Sequence, residues 1–169
     1  MLRKAIVIFV VALLAAPALA RPDLNIGSLA PSFILPDLDG NSVYLDRYLG
    51  SNVVVLSFFA SWSKSCQQEM AFLKELDEEY RNKGIKVIGV SYDRKLESLK
   101  QYVEENKLLF TVLHDKKLKT LKDYRILIIP TLFVIDLEGN ITNIYVDFDE
   151  NVAEAVSKDI QKLLAPSKK

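Results

Sequence analysis

A single thiol sets the chemical limits of this sequence. Cys66 is the one cysteine in 169 residues, and it follows a continuous apolar run, Val53 to Phe59, through Ala60-Ser61-Trp62-Ser63-Lys64-Ser65. That order reads as a buried strand, a tight turn and the first turn of a helix. At a helix N-terminus the unpaired N–H groups and the macrodipole favour negative charge. A cysteine placed there is drawn towards thiolate, the form that attacks disulfides and peroxides. Burial works in the opposite direction, because desolvation favours the neutral thiol. Trp62 and the apolar end of the sheet are expected to shield the sulfur, and Lys64 to point to solvent. Desolvation should then win and leave Cys66 mostly protonated near neutral pH. The bland alternative is a cysteine that packs as a small hydrophobe.

Ser63 is well placed as the helix N-cap, accepting from the N–H of Ser65 or Cys66. Its hydroxyl is a poor nucleophile without a base, and neither histidine nor carboxylate lies close by in sequence. Gly-x-Ser-x-Gly is also absent, which disfavours serine hydrolysis. Ile129-Pro130-Thr131 precedes another apolar run, Leu132 to Ile135. Proline there marks the first residue of a buried strand. A trans bond is the ordinary expectation, since cis occurs at about 5–6% of such bonds in folded proteins. His114 is the one histidine and sits beside Asp115, where it reads as a partly exposed loop residue. One histidine and one cysteine are too few soft ligands for zinc or copper, so no metal and no cofactor are expected.

The elements that must position these residues follow from periodicity and turn signals. Phe33 and Leu35, then Val43 and Leu45, flank Asp37-Leu38-Asp39-Gly40-Asn41, which predicts a β-hairpin. Val53–Phe59 reads as a strand buried on both faces. Met70, Leu73, Leu76 and Tyr80 recur at helical spacing over about 65–82, with Gly84 placed to stop the helix. Ile85–Ser91 is the next buried strand. Leu96, Leu99 and Val103 mark a second amphipathic helix, Phe110–Leu113 a short extended segment, and Leu118, Leu121 and Tyr124 a short third helix. Ile141–Val146 pairs with Leu132–Ile135 across the turn at Leu137-Glu138-Gly139-Asn140. The last helix begins at Glu150 after Asp149 as N-cap, with Val152, Val156, Ile160 and Leu163 inward. Strands alternating with helices need right-handed crossovers and a sheet covered on both faces, which predicts an α/β/α sandwich.

Residues 1–20 stand apart. Arg3 and Lys4 precede an apolar run, Ile6 to Leu14, and Ala18-Leu19-Ala20 is a small-x-small cleavage signal. This is the layout of a secretory signal peptide, and the apolar stretch is shorter than the roughly 20 residues that span a bilayer. An uncleaved N-terminal anchor is the alternative. The remaining chain has 20 basic against 22 acidic residues, since residues 1–20 carry Arg3 and Lys4 and no acid. That balance gives no electrostatic reason for nucleic acid or an anionic membrane surface as partner. One cysteine in an exported chain points to a reactive thiol or to pairing between molecules.

Several segments together resemble the TlpA/ResA branch of the thioredoxin superfamily, the exported redoxins related to AhpC/TSA. Gly27-Ser28-Leu29-Ala30-Pro31-Ser32-Phe33 resembles the redoxin opening G-x-x-A-P-x-F. Asp39-Gly40 with Leu45 is similar to the family hairpin. Phe59-Ala60-Ser61-Trp62-Ser63-Lys64-Ser65-Cys66-Gln67-Gln68-Glu69-Met70 is similar to F-W-A-x-W-C-x-x-C-x-x-E-M, with phenylalanine for the first tryptophan and Ser63 for the first cysteine. Val87-Ile88-Gly89-Val90-Ser91 and Ile129-Pro130-Thr131-Leu132-Phe133-Val134-Ile135-Asp136 complete the resemblance. It implies a thioredoxin-like domain over 21–165, a three-layer α/β/α sandwich with a mixed central sheet and an N-terminal β-hairpin; the residues Pro166-Ser167-Lys168-Lys169 read on their own as a disordered tail at 166–169. The resemblance also implies a cis Ile129–Pro130 bond beside the motif, and thiol–disulfide chemistry on protein or peptide thiols in an extracytoplasmic compartment.

In that family the first cysteine attacks a substrate disulfide and the second resolves the mixed disulfide. Ser63 stands at the attacking position and Cys66 at the resolving one. A dithiol cycle within one chain is therefore impossible, and any activity is monothiol through Cys66. The resemblance makes Trp62, Pro130 and Thr131 the substrate groove, and Ser63 the N-cap or a hydrogen-bond donor to the sulfur. The protein is expected to be a monomer, with a Cys66–Cys66 disulfide as the route to a dimer. One alternative is a non-catalytic module that holds an extended peptide or partner at the Pro130 edge. The other is a peroxidase, because Ser63-Lys64-Ser65-Cys66 is similar to half of the peroxiredoxin loop Pro-x-x-x-Thr/Ser-x-x-Cys. Phe59 stands where that loop has proline. The peroxiredoxin arginine aligns with Pro130, and Arg125 is five residues earlier.

Overall fold

The computed structural model describes residues 24–165. The signal segment expected over 1–20 and the tail at 166–169 lie outside the described residues. The chain opens with a hairpin of β1 (Ile34–Pro36) and β2 (Ser42–Tyr44), followed by a 3-10 turn at Leu45–Arg47. The Asp37 carboxylate closes the hairpin by accepting the N–H groups of Asp39 and Asn41, and Gly40 supplies the positive φ that the turn needs. Then follow β3 (Val53–Phe59), α1 (Lys64–Tyr80), β4 (Ile85–Ser91), α2 (Leu96–Glu105), β5 (Thr111–His114) and α3 (Lys119–Asp123). β6 (Thr131–Ile135), β7 (Ile141–Val146) and α4 (Glu150–Leu164) complete the described chain.

The main sheet has the order β5-β4-β3-β6-β7, and β1-β2 forms a second, two-stranded sheet. β3 runs parallel to β4, and β4 to β5, while β6 is antiparallel to both β3 and β7. Every residue of β3 is buried, which explains why its run is apolar except for Ser57: side chains on both faces meet packed layers. On one face α1, α2 and α4 cover a cluster that includes Cys66, Met70, Leu73, Leu99, Val156 and Ile160. On the other, the hairpin and the segment about α3 cover Phe33, Leu45, Phe58, Tyr124, Phe133 and Ile135. This is the expected three-layer sandwich with a mixed sheet.

Two local features bring the site into register. Phe59, the last residue of β3, is completely buried, and Gly89 on neighbouring β4 makes room for its ring. A Cβ at Gly89 would stand 3.0 Å from Phe59 Cε1, a contact tight enough that the ring would have to shift. At the far end, Asp149 caps α4 by accepting the N–H of Val152 at 2.9 Å, as its place before the helical pattern predicts.

Candidate functional site

The loop between β3 and α1 carries the cysteine. Ser63 is the N-cap of α1, and its Oγ accepts the Cys66 N–H at a long 3.5 Å. Cys66 is therefore the third helical residue, its side chain is wholly buried, and it packs in one cluster with Phe59, Met70 and Leu132. The dominant influence on its thiol is desolvation, which raises its pKa above the ordinary value. The Ser63 side chain and the Ala60 backbone N–H hydrogen-bond to the sulfur and pull it down. The charges acting on it are the carboxylates of Glu69 and Asp93, and both push it further up. Burial exceeds the pull of the helix terminus, in the direction that sequence reasoning expects.

The source of that burial differs from expectation. Trp62 is 73% exposed, so it does not roof the sulfur. The turn at Ala60–Ser63, closed by the Ser63 N–H to the Ala60 carbonyl at 3.1 Å, turns the indole outward. The shielding comes from the sheet end and from α1 itself.

Glu69, one turn after Cys66, is the polar residue beneath the site. Its carboxyl is buried, Oε2 accepts from the Ser57 hydroxyl at 2.7 Å, and burial pushes its pKa up to about 8. The negative charge of Asp147 adds to that rise. The signal for this pair was present in the sequence. Ser57 interrupts an otherwise apolar strand, and Glu69 falls on the Cys66–Met70–Leu73 face of the helix.

Asp93, just after β4, holds the motif loop. Its carboxylate accepts from the Ser61 N–H at 2.9 Å, the Ser61 hydroxyl at 2.8 Å and the Ser91 hydroxyl at 2.7 Å. His114 departs from its sequence expectation of a partly exposed loop residue. β5 runs one residue further than the apolar run, pairing His114 with Ser91. The ring becomes 6% exposed, and Nε2–H donates to the Asp93 carbonyl at 2.7 Å. Beside it, Asp115 caps α3 by accepting from the Thr120 N–H and hydroxyl.

The second sequence segment lies against the same end of the sheet. The Ile129–Pro130 bond is cis. Thr131 pairs with Phe58 across β3 and β6, which sets Pro130 beside the strand end from which the motif loop departs. Thr131 is 4% exposed, its hydroxyl donates to the Ile128 carbonyl at 2.7 Å, and it contributes to the wall of an apolar groove at this end of β6. Before it, Leu127 is 94% exposed and Ile128 56%. The groove, of about 320 Å³, runs between these residues, Phe133, Ile144 and Val146. It lies on the sheet face that Phe133 shares with the hairpin, opposite Cys66.

Comparison with known proteins places the arrangement in context. Residues 26–144 match the model of the AhpC/TSA family. The chain is 34% identical over 118 residues to the thiol-disulfide oxidoreductase ResA of Bacillus thuringiensis subsp. konkukian, covering 70% of this chain and 68% of that one. It is 31% identical over 143 residues to ResA of Bacillus cereus strain ZK, covering 85% and 81%. Its fold superposes with a TM-score of 0.80 on a Chlorobium tepidum protein assigned as a thiol:disulfide interchange protein DsbE, at 31% identity and over 85% of this chain and all of that one.

Proposed function

Since this chain belongs to the AhpC/TSA family and has the thioredoxin-like fold of its thiol–disulfide branch, we propose that it is an exported, monothiol member acting through Cys66. The observation that carries the reading is the position of the sulfur: buried in the first turn of α1, under hydrogen bonds from Ser63 and the Ala60 N–H, and one turn from a protonatable Glu69.

The chemistry follows from the count of sulfurs. The Cys66 thiol loses its proton and the thiolate attacks a partner disulfide. One S–S bond forms to Cys66, the partner's S–S bond breaks, and the second partner sulfur leaves as thiolate. With Ser63 in the attacking position there is no second sulfur to resolve the adduct. A thiol from the partner or from solution must attack the mixed disulfide and release Cys66. Buried Glu69, with its pKa near 8, is suited to exchange a proton with the thiol environment near neutral pH. Trp62, Pro130 and Thr131 would contact or shape the partner segment at this end of the sheet. Export rests on the charged, apolar and small-residue pattern of 1–20 and on similarity to ResA proteins.

A second reading is a binding module without redox turnover. Complete burial of Cys66 beside a largely exposed Trp62 favours it. The peroxidase reading loses support from the site's charges, since Glu69 and Asp93 raise the thiol pKa and a peroxidatic thiolate needs it lowered. The test is exchange with glutathione disulfide, followed by intact mass, in the parent and in Cys66→Ser. The monothiol reading predicts one glutathione per chain in the parent and none in the variant. No adduct on folded parent protein at alkaline pH would favour the binding module.

A further inference from the structure

The corner between β7 and α4 joins the two halves of the site. Asp147 has φ +66, a left-handed conformation that disfavours a residue with a Cβ, and it makes three bonds there. Its N–H donates to the Pro130 carbonyl at 2.9 Å. Its Oδ1 accepts from the Ser65 hydroxyl at 2.6 Å and from the Phe148 N–H at 2.9 Å. One residue therefore ties the strand entrance at Pro130 to the first turn of α1, and Ser65 directly precedes the buried Cys66.

A wholly buried sulfur cannot meet a partner disulfide without local opening. The Ser65–Asp147 bond is solvent-exposed and spans 82 positions of sequence. Few and water-accessible bonds mark a region that opens before the rest of a domain does. The short distance and the ionised acceptor make this one bond stronger than a neutral pair.

We propose that Ser65 and Asp147 form a latch across the mouth of the site, and that Asp147 is a positioning residue that sets how often Cys66 becomes reachable. The inference rests on the reading of Cys66 as the exchanging atom. It adds the step that precedes exchange: the β7–α4 corner swings away from the first turn of α1 and a partner segment takes its place. Asp147 also acts on the site by charge, since it raises the proton affinity of Glu69. That influence has the opposite sign. Without Asp147, Glu69 ionises at lower pH, and an ionised Glu69 makes the thiol harder to deprotonate. Electrostatics alone would slow Cys66 when Asp147 is lost, whereas opening the latch speeds it.

The variants Ser65→Ala and Asp147→Gly separate these effects. Glycine adopts φ +66 readily, so Asp147→Gly removes the carboxylate without straining the corner. The measurement is the rate of Cys66 alkylation by iodoacetamide as a function of pH, with thermal unfolding of each protein. The plateau of the profile reads access, and its midpoint reads the thiol pKa. Each variant should raise the plateau about tenfold, with Tm within about 2 °C of the parent. The double variant should be no faster than the faster single one. Asp149→Ala, which removes the α4 cap, should lower Tm and leave the plateau unchanged. Plateaus within twofold of the parent in both single variants would overturn the latch, as would additive effects or an equal rise in Asp149→Ala. Glutathione disulfide then tests the reading beneath it. A variant that iodoacetamide alkylates faster but that takes up no glutathione supports the latch and removes the exchange role of Cys66.

Discussion

Replacing Glu69 by glutamine should change how stability depends on pH. In the parent, burial raises the Glu69 pKa from 4.5 to about 8. Between those values the folded chain holds a proton that the unfolded chain has released, so stability falls as pH rises. The contribution is fully present below about pH 4.5 and is lost as pH passes through about 8. At about 1.4 kcal/mol per tenfold in proton affinity, the ceiling is about 5 kcal/mol. Relaxation around an ionised carboxylate brings the expected difference to about 2–3 kcal/mol. Glutamine is uncharged at every pH and can still accept from Ser57, so Glu69→Gln should escape the loss. Urea unfolding at pH 5 and pH 8.5 measures it: the variant should gain about 2–3 kcal/mol on the parent between the two. Groups that do not sense Glu69 titrate alike in both proteins and cancel, and Cys66, which does, is followed separately by its alkylation midpoint. A gap between parent and variant that is the same at both pH values would refute the buried, protonated carboxyl. The variant's alkylation midpoint should also fall, because ionised Glu69 raises the thiol pKa.

Other consequences can be checked singly. In the parent, the alkylation rate of Cys66 should rise with a midpoint above the free-thiol value near 8.5, as burial and two carboxylates require; a midpoint well below it would revive the peroxidase reading. Ser63→Ala should cost about 1 kcal/mol through the lost N-cap, lowering Tm by about 2–4 °C, and should move that midpoint up because the hydroxyl bond to sulfur is gone. Ser63→Cys should create an internal disulfide and catalyse insulin reduction by dithiothreitol at least tenfold over the parent; failure to form the disulfide would favour the binding module. Gly89→Ala should destabilise by about 1–3 kcal/mol, because its Cβ meets Phe59 and Phe110 at 3.0 and 3.4 Å, and denaturant unfolding would show it.

The fold was legible because local and global signals agree. The apolar run at 53–59 is a strand covered on both faces, and the 3.6-residue pattern after Asp149 is the helix it announces. The Ser63 cap and the buried Cys66 were readable from spacing alone, whereas the cis bond before Pro130 came only with the family resemblance. Contacts that depend on the turn between elements were not legible. Trp62 faces outward because the Ala60–Ser63 turn closes as it does, and no periodicity governs a turn of four residues. His114 was misjudged because one further residue of β5 pairing decides whether its ring is in a loop or beside Asp93. Asp93 and Asp147 were missed since each lies far in sequence from the serine it holds, Ser61 or Ser65, and only the sheet order β4-β3-β6-β7 brings them together.

The central claim is that one sulfur captures a partner and cannot release it unaided. It is tested most directly by following intact mass after mixing reduced protein with an excess of a peptide dimer, two separate peptides joined by one disulfide so that the leaving thiol departs on its own chain, at alkaline pH, in the parent and in Ser63→Cys. The account predicts that the parent accumulates as a one-to-one mixed disulfide through Cys66, which persists until a second thiol is added. In Ser63→Cys the adduct should be transient and give way to an internal disulfide. A parent that forms no adduct while Ser63→Cys does, or one that reduces the peptide without any adduct on Cys66, would contradict it.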